Sequence, residues 1–285
     1  MTSASGECLN CGAILGGPFC GQCGQRAVPA YPTIQEMAGD AWEEMIGWDG
    51  RFARSLVTLV RRPGELTVET LRGKRVSYIK PLRLYLSASL VYFLVAFSAP
   101  NMSAPRSAVL PGKNRTTISV MDGSPPMSPE QRARALEDLE RAPAFLKPML
   151  ERLVTDPAGF RSRVLNAFPK MVFALVPVFA LILAMFYRRR RYMQHLTFAL
   201  HLHAAIFLAL GLSRTARFTG IAPLAAAVSL VALAFLLWYV VRAQRVVYGD
   251  GTAITMLKSV GILAMYGLVS LPGLIAVVAW ATYFR

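Results

Sequence analysis

The chain is 285 residues long, 54% hydrophobic and only 16% charged, with a mean hydropathy of +0.42. Ordinary soluble domains carry about 25% charged residues, so the deficit argues against a soluble enzyme fold and for membrane spans. The net charge of +15 raises nucleic-acid binding, but it is dispersed: residues 1–83 hold 10 basic against 8 acidic side chains, and residues 100–170 hold 11 against 7. Most of the excess flanks apolar runs, where anionic lipid headgroups are the natural counterion, and no concentrated basic reading surface remains for a nucleic acid.

In chain order, the first feature is a cysteine quartet. All four cysteines lie in residues 1–26, as Cys8-x2-Cys11-x8-Cys20-x2-Cys23, with Gly12 and Gly24 closing the two pairs. Two short thiolate turns supply the four soft ligands of a closed tetrahedral zinc site without a large core. The spacing predicts back-to-back zinc knuckles, with Gly16, Gly17 and Pro18 making the turn and Phe19 placed to shield the metal. Free thiols, a redox pair and iron–sulfur ligation are the alternatives. Residues 1–30 hold no apolar run of signal-peptide length, so a reducing compartment and zinc are expected rather than disulfides. A catalytic zinc needs an open position, and four thiolates leave none.

Residues 33–80 read as cytoplasmic amphipathic and juxtamembrane helices. Ile34, Met37, Ala38, Ala41, Trp42, Met45 and Ile46 form one apolar stripe of helical period. A second helix is predicted from Gly50 to Arg61, stopped by Pro63 and Gly64. Arg72, Lys74 and Arg75 then precede the first span, with Tyr78 and Tyr85 nearby, as a lipid-interface and orientation anchor. This segment either lies in the headgroup plane or packs on the protein's own helices.

The transmembrane body, residues 81–285, is drawn with spans at about 81–99, 168–187, 194–212, 221–242 and 259–283, and an external loop at 100–167. In that loop, Ser128-Pro129-Glu130-Gln131 reads as a helix start. With the N-terminus inside, the short inner connections hold Arg188, Arg189, Arg190, Arg191, Arg242, Arg245 and Lys258, and the short outer one holds Arg214 and Arg217. The positive-inside rule favours this orientation, which leaves the C-terminus outside. The fold class is therefore all-α: a polytopic membrane protein with about five transmembrane helices and a small N-terminal zinc-knuckle head.

The three histidines, His195, His201 and His203, share one predicted span. Titratable groups in a membrane are costly and often functional. At about 100° per residue, His201 and His203 stand about 240° and 80° from His195, so one helix cannot gather them around a metal. Structural hydrogen bonding is the plainer reading, and a proton or metal relay is the sharper one. No nucleotide loop, Ser/His/Asp arrangement or HExxH motif occurs.

Three blocks together carry a family resemblance: Cys8-x2-Cys11-Gly…Phe19-Cys20-x2-Cys23-Gly24-Gln25, Arg62-Pro63-Gly64…Gly73-Lys74-Arg75…Tyr78-x2-Pro81, and Tyr192-x2-His195-x2-Phe198…His201-x-His203. The chain resembles a bacterial family of uncharacterised multi-span membrane proteins with an N-terminal four-cysteine motif (domain of unknown function 3667). That resemblance implies a zinc-binding head on a bacterial inner-membrane body and brings no established activity. The functional expectation is a non-enzymatic adaptor or regulator whose head docks a protein partner, with a transporter or channel component as the alternative.

Overall fold

The computed structural model describes residues 6–27, 50–98, 107–109, 117–119, 128–140, 142–144 and 146–283. The predicted Ile34–Ile46 stripe, with Trp42, lies outside the described residues. The architecture is helical. Helix α1 spans Gly50–Arg61, α2 Glu65–Leu71, α3 Pro81–Ser98, α4 Pro129–Leu139 and α5 Lys147–Thr155. Helices α6 (Pro157–Phe186), α7 (Tyr192–Thr215), α8 (Ala222–Tyr248) and α9 (Thr252–Tyr283) follow, with a 3-10 turn at Ala216–Thr219. The exception is a short antiparallel pair, β1 (Ser107–Val109) against β2 (Thr117–Ser119), with Ala108 opposite Ile118.

Among the described residues five helices, α3, α6, α7 with its 3-10 extension, α8 and α9, are long and apolar enough to cross a membrane. Four run past the predicted spans, α7 by two residues at its start and three at its end. Helix α6 starts at Pro157, eleven residues ahead of the expected 168, because Arg161 and Arg163 lower the hydropathy without breaking the helix. Helix α8 continues through Arg242 and Arg245 to Tyr248, where Gly249 at φ 83° turns the chain. Helix α9 begins at Thr252 and takes Lys258 into its second turn, paired with Asp250 at 2.6 Å. Hydropathy locates lipid-facing residues, whereas a helix ends only where its hydrogen bonding does.

The chain divides into two compact units. The first comprises residues 1–98 and 176–266. Its centre is α7, whose face is buried from Gln194 to Ala209. Helix α3 packs on it through Leu84, Tyr85 and Ala88, and the rings of Tyr85, Tyr92 and Phe93 gather around Phe207 at centroid distances of 5.8, 5.2 and 5.6 Å. The α1–α2 hairpin also packs on the protein's own helices. Tyr239 on α8 donates to the Leu59 carbonyl at 2.9 Å. Gly64 (φ 84°) presses on α8 so closely that an added Cβ would lie 2.7 Å from the Ala243 carbonyl oxygen.

The second unit comprises residues 99–175 and 267–285. Ala135, Leu139, Ala142 and Val154 form one small core, and Leu153, Phe160 and Ala281 another. The last carbonyls of α9 lack intrahelical partners. Arg152 donates to the Thr282 carbonyl at 3.1 Å and Arg163 to that of Ala281 at 3.0 Å.

Candidate metal centre and its seat

The head is an internal repeat with an offset of twelve residues. Cys8 N–H donates to the Ala13 carbonyl as Cys20 N–H does to Gln25, at 2.7 and 2.8 Å. Gly12 N–H returns to the Cys8 carbonyl as Gly24 N–H does to Cys20, at 2.8 and 2.9 Å. Both glycines sit at positive φ, 78° and 72°, which closes each knuckle and favours a residue without a Cβ. The bridges Glu7–Ile14 and Phe19–Arg26 repeat the pattern on either side.

The two knuckles bring all four sulfurs within 4.8 Å of one another. Cys8 and Cys23 are 3.6 Å apart, as are Cys11 and Cys20, and none is in a disulfide. Four sulfurs at zinc–thiolate distance around a tetrahedral centre would be about 3.8 Å apart, so the donor set fits a four-thiolate metal site. Thiol chemistry points the same way. Backbone N–H groups of Cys23 and Gln22 aimed at Cys20 bring its thiol down to about 6. At Cys11 the Ala13 N–H favours the thiolate, but desolvation and the three neighbouring sulfurs outweigh it and push the thiol up to about 12. Thiolates crowded this closely repel, and a bound cation would relieve that repulsion for all four. Phe19 is 59% exposed and Ile14 86%. Phe19 therefore leaves most of its ring to solvent instead of shielding the metal.

Two of the positions at which the repeats differ in residue type are used to seat the head. Gln25 replaces the Ala13 of the first knuckle and is buried, with 6% of its surface exposed. Its Nε2 donates to the Gly73 carbonyl at 2.8 Å, and its Oε1 accepts from Arg75 N–H at 3.0 Å and Val76 N–H at 3.3 Å. Asn10, the counterpart of Gln22, accepts through Oδ1 from the Ser77 hydroxyl at 2.8 Å and from Ser77 N–H at 3.3 Å. Leu9 lies against Gly73, where φ is 94° and an added Cβ would come within 2.8 Å of Leu9 Cδ1. The head is thereby seated on residues 73–77.

The basic block before the first span is built into this seat. Glu69 on α2 pairs with Arg72 at 2.8 Å and also with Lys74. Burial would raise the Glu69 carboxyl, but Lys74 and Arg72 hold it below the usual range. Arg75 contributes its backbone N–H to Gln25. Beyond the seat, Ile79 N–H donates to the buried Ser55 hydroxyl of α1 at 2.9 Å. Arg188, Arg189, Arg190 and Arg191 are exposed on the α6–α7 connection.

The histidines share no partner. His195 Nδ1 meets the Tyr248 hydroxyl of α8 at 2.9 Å. His201 Nδ1 meets the Thr67 hydroxyl of α2 at 2.9 Å, and its buried Nε2 has no hydrogen-bond partner among the described residues. His203 sits 2.8 Å from the Ala199 carbonyl through Nδ1 and 3.3 Å from the Tyr266 hydroxyl through Nε2. Nδ1–H therefore donates to that carbonyl, and Nε2 accepts from Tyr266. Among the described residues, the only His, Cys, Asp or Glu group spaced for a metal is the cysteine quartet.

Fold and site thus define a helical membrane protein with five candidate spans and a head that could hold a metal ion through four cysteines. Residues 49–93 match a family described as "Protein of unknown function (DUF3667)". The matched segment contains α1, α2, the seat of the head and most of α3, and it excludes the cysteine motif. No curated protein and no solved structure matches the chain.

Sequence reasoning missed Gln25 and Asn10 as seating residues. For Gln25 the signal available was its place at the end of the Cys23-Gly24-Gln25 motif; Asn10 carried none.

Proposed function

We propose that this is a non-enzymatic regulatory or adaptor protein of a bacterial inner membrane, with a zinc-bound cytoplasmic head that docks a protein partner. The observation that carries this reading is how the head spends its side chains. Gln25 and Asn10 are committed to residues 73–77, while Ile14 and Phe19 remain 86% and 59% exposed. Apolar side chains left in water on so small a module contribute little to its own fold and fit the apolar centre of a protein–protein contact. Zinc in this arrangement is structural, held by Cys8, Cys11, Cys20 and Cys23. The seven-to-two excess of basic residues on the short connections and the helix ends that flank them supports the cytoplasmic placement.

The test is crosslinked affinity purification from native membranes, comparing wild type, Ile14→Asp/Phe19→Asp and Cys8→Ser/Cys11→Ser at matched abundance. The expected result is one partner recovered with wild type and lost with both variants, although the Ile14/Phe19 variant retains its metal. Equal recovery with all three would overturn the reading. A transport role is the second reading, favoured by the buried, unpartnered Nε2 of His201. It requires that His201→Phe abolish flux in vesicles while the protein still folds.

A further inference from the structure

Helices α7 and α8 do not close against each other along their whole length. Between them runs an apolar groove of about 520 Å³, walled by Ala205 and Ala209 of α7, by Ala227, Val231 and Phe235 of α8, and at one end by Val60 of α1. Its volume falls in the range of about 300–1,000 Å³ typical of ligand sites. The small side chains of the alanines leave the space that longer ones would fill.

The Val60 end of the groove is cationic. Arg61 follows Val60 directly and is exposed. Arg242 stands seven residues beyond Phe235, two turns along the same face of α8. Gly64, three residues after Arg61, lies against Ala243 and Val246, which places the backbones of Arg61 and Arg242 at the same end of α8. Arg62 is engaged by Glu65 at 3.0 Å; neither Arg61 nor Arg242 makes an ion pair among the described residues.

We propose that this groove is a specific site for an anionic membrane phospholipid, with one acyl chain between α7 and α8 and the phosphate between Arg61 and Arg242. An apolar trough with two exposed arginines beyond its Val60 end matches the amphipathic shape and charge of such a lipid. A zwitterionic lipid would fill the trough and gain less from the arginines. The proposal requires only that α7 and α8 span a bilayer, and it is independent of what the head binds.

The test uses the full-length protein in detergent, titrated with phosphatidylglycerol or phosphatidylcholine and followed by native mass spectrometry. One phosphatidylglycerol per chain is expected to be retained in preference to phosphatidylcholine. Ala227→Phe, which fills the trough from an exposed position, should weaken that binding at least tenfold, whereas Leu230→Phe on the neighbouring exposed surface should not. Arg61→Gln and Arg242→Gln should each cost about fivefold for phosphatidylglycerol and distinctly less for phosphatidylcholine. A photoreactive benzoylphenylalanine replacing Val231 should crosslink to lipid in membranes. Equal binding of both lipids by wild type, or unchanged binding by Ala227→Phe, would overturn the proposal. So would crosslinking of position 231 to residues 34–46 of the same chain.

Discussion

Gln25 shows how one side chain can decide where a domain sits. Its amide presents a donor and an acceptor a few ångströms apart, and the turn at Gly73–Val76 offers one carbonyl and two N–H groups to match. Truncation to alanine would remove the acceptor of Val76 N–H and leave Arg75 N–H and the Gly73 carbonyl with only each other, at 3.0 Å, a loss of about 1 kcal/mol per hydrogen bond. Gln25→Ala is therefore expected to bind metal as wild type does, measured as metal per chain, and to lose protection of residues 73–77 in hydrogen exchange. Retained protection would show that the seat does not depend on this amide. Glu69 gives a second prediction at this scale. Its folded pKa is depressed by Lys74 and Arg72, so its stabilising contribution is present above the unfolded value of about 4.3 and is lost as pH falls through the folded one. Thermal unfolding of wild type should weaken across that acidic window more steeply than that of Glu69→Gln. Parallel profiles would remove Glu69 from the account.

The head is the element whose fold depends most on something other than packing. Residues 6–27 bury few apolar side chains, and Cys8 and Cys20 are the buried hydrophobic residues among them. Metal binding supplies about 10–16 kcal/mol in comparable zinc-finger peptides, which is ample for two six-residue knuckles. Chelation should therefore unfold residues 6–27 and release residues 73–77, while α3 and α7, joined through Leu84, Tyr85 and Phe207, keep their exchange protection. A head that stays protected without metal would mean its hydrogen bonds suffice alone. The α1–α2 hairpin is the other informative element. Its amphipathic sequence suits a headgroup surface equally well, and contacts at Leu59 and Gly64 with α8 place it against protein.

At the scale of the whole molecule, a head whose four cysteines could hold a metal ion is joined through a short loop to helices long and apolar enough to span a bilayer. The loop is held on two sides: by Gln25 and Asn10 from the head, and by Ser55 of α1 through Ile79. Helix α2 continues from it to the buried His201 through Thr67. This gives a continuous physical connection between the cysteine site and a titratable group within a span, and a demonstration of coupling would need both ends perturbed. Orientation is testable directly. Reporter fusions after residues 27 and 190 should report the cytoplasm, and a fusion after 218 the opposite side. Any other pattern would reverse the topology read from the basic connections.

The sequence by itself determined the elements whose cause is local. Four thiols in paired turns, the start of a helix at Gly50 and its stop at Pro63–Gly64, and apolar runs long enough to cross a bilayer are each written within a few tens of residues. The spans were legible, but their helical ends were not, because Arg161, Arg242 and Lys258 disturb hydropathy without breaking backbone hydrogen bonding. Only the tertiary structure decided what the polar residues meet. Gln25 finds Gly73 across 48 positions, Thr67 finds His201 across 134, and Tyr239 finds Leu59 across 180. Such pairings leave no period or spacing in the chain. They arise because a buried donor or acceptor must be satisfied by whichever group the packing of apolar helices has already brought within reach.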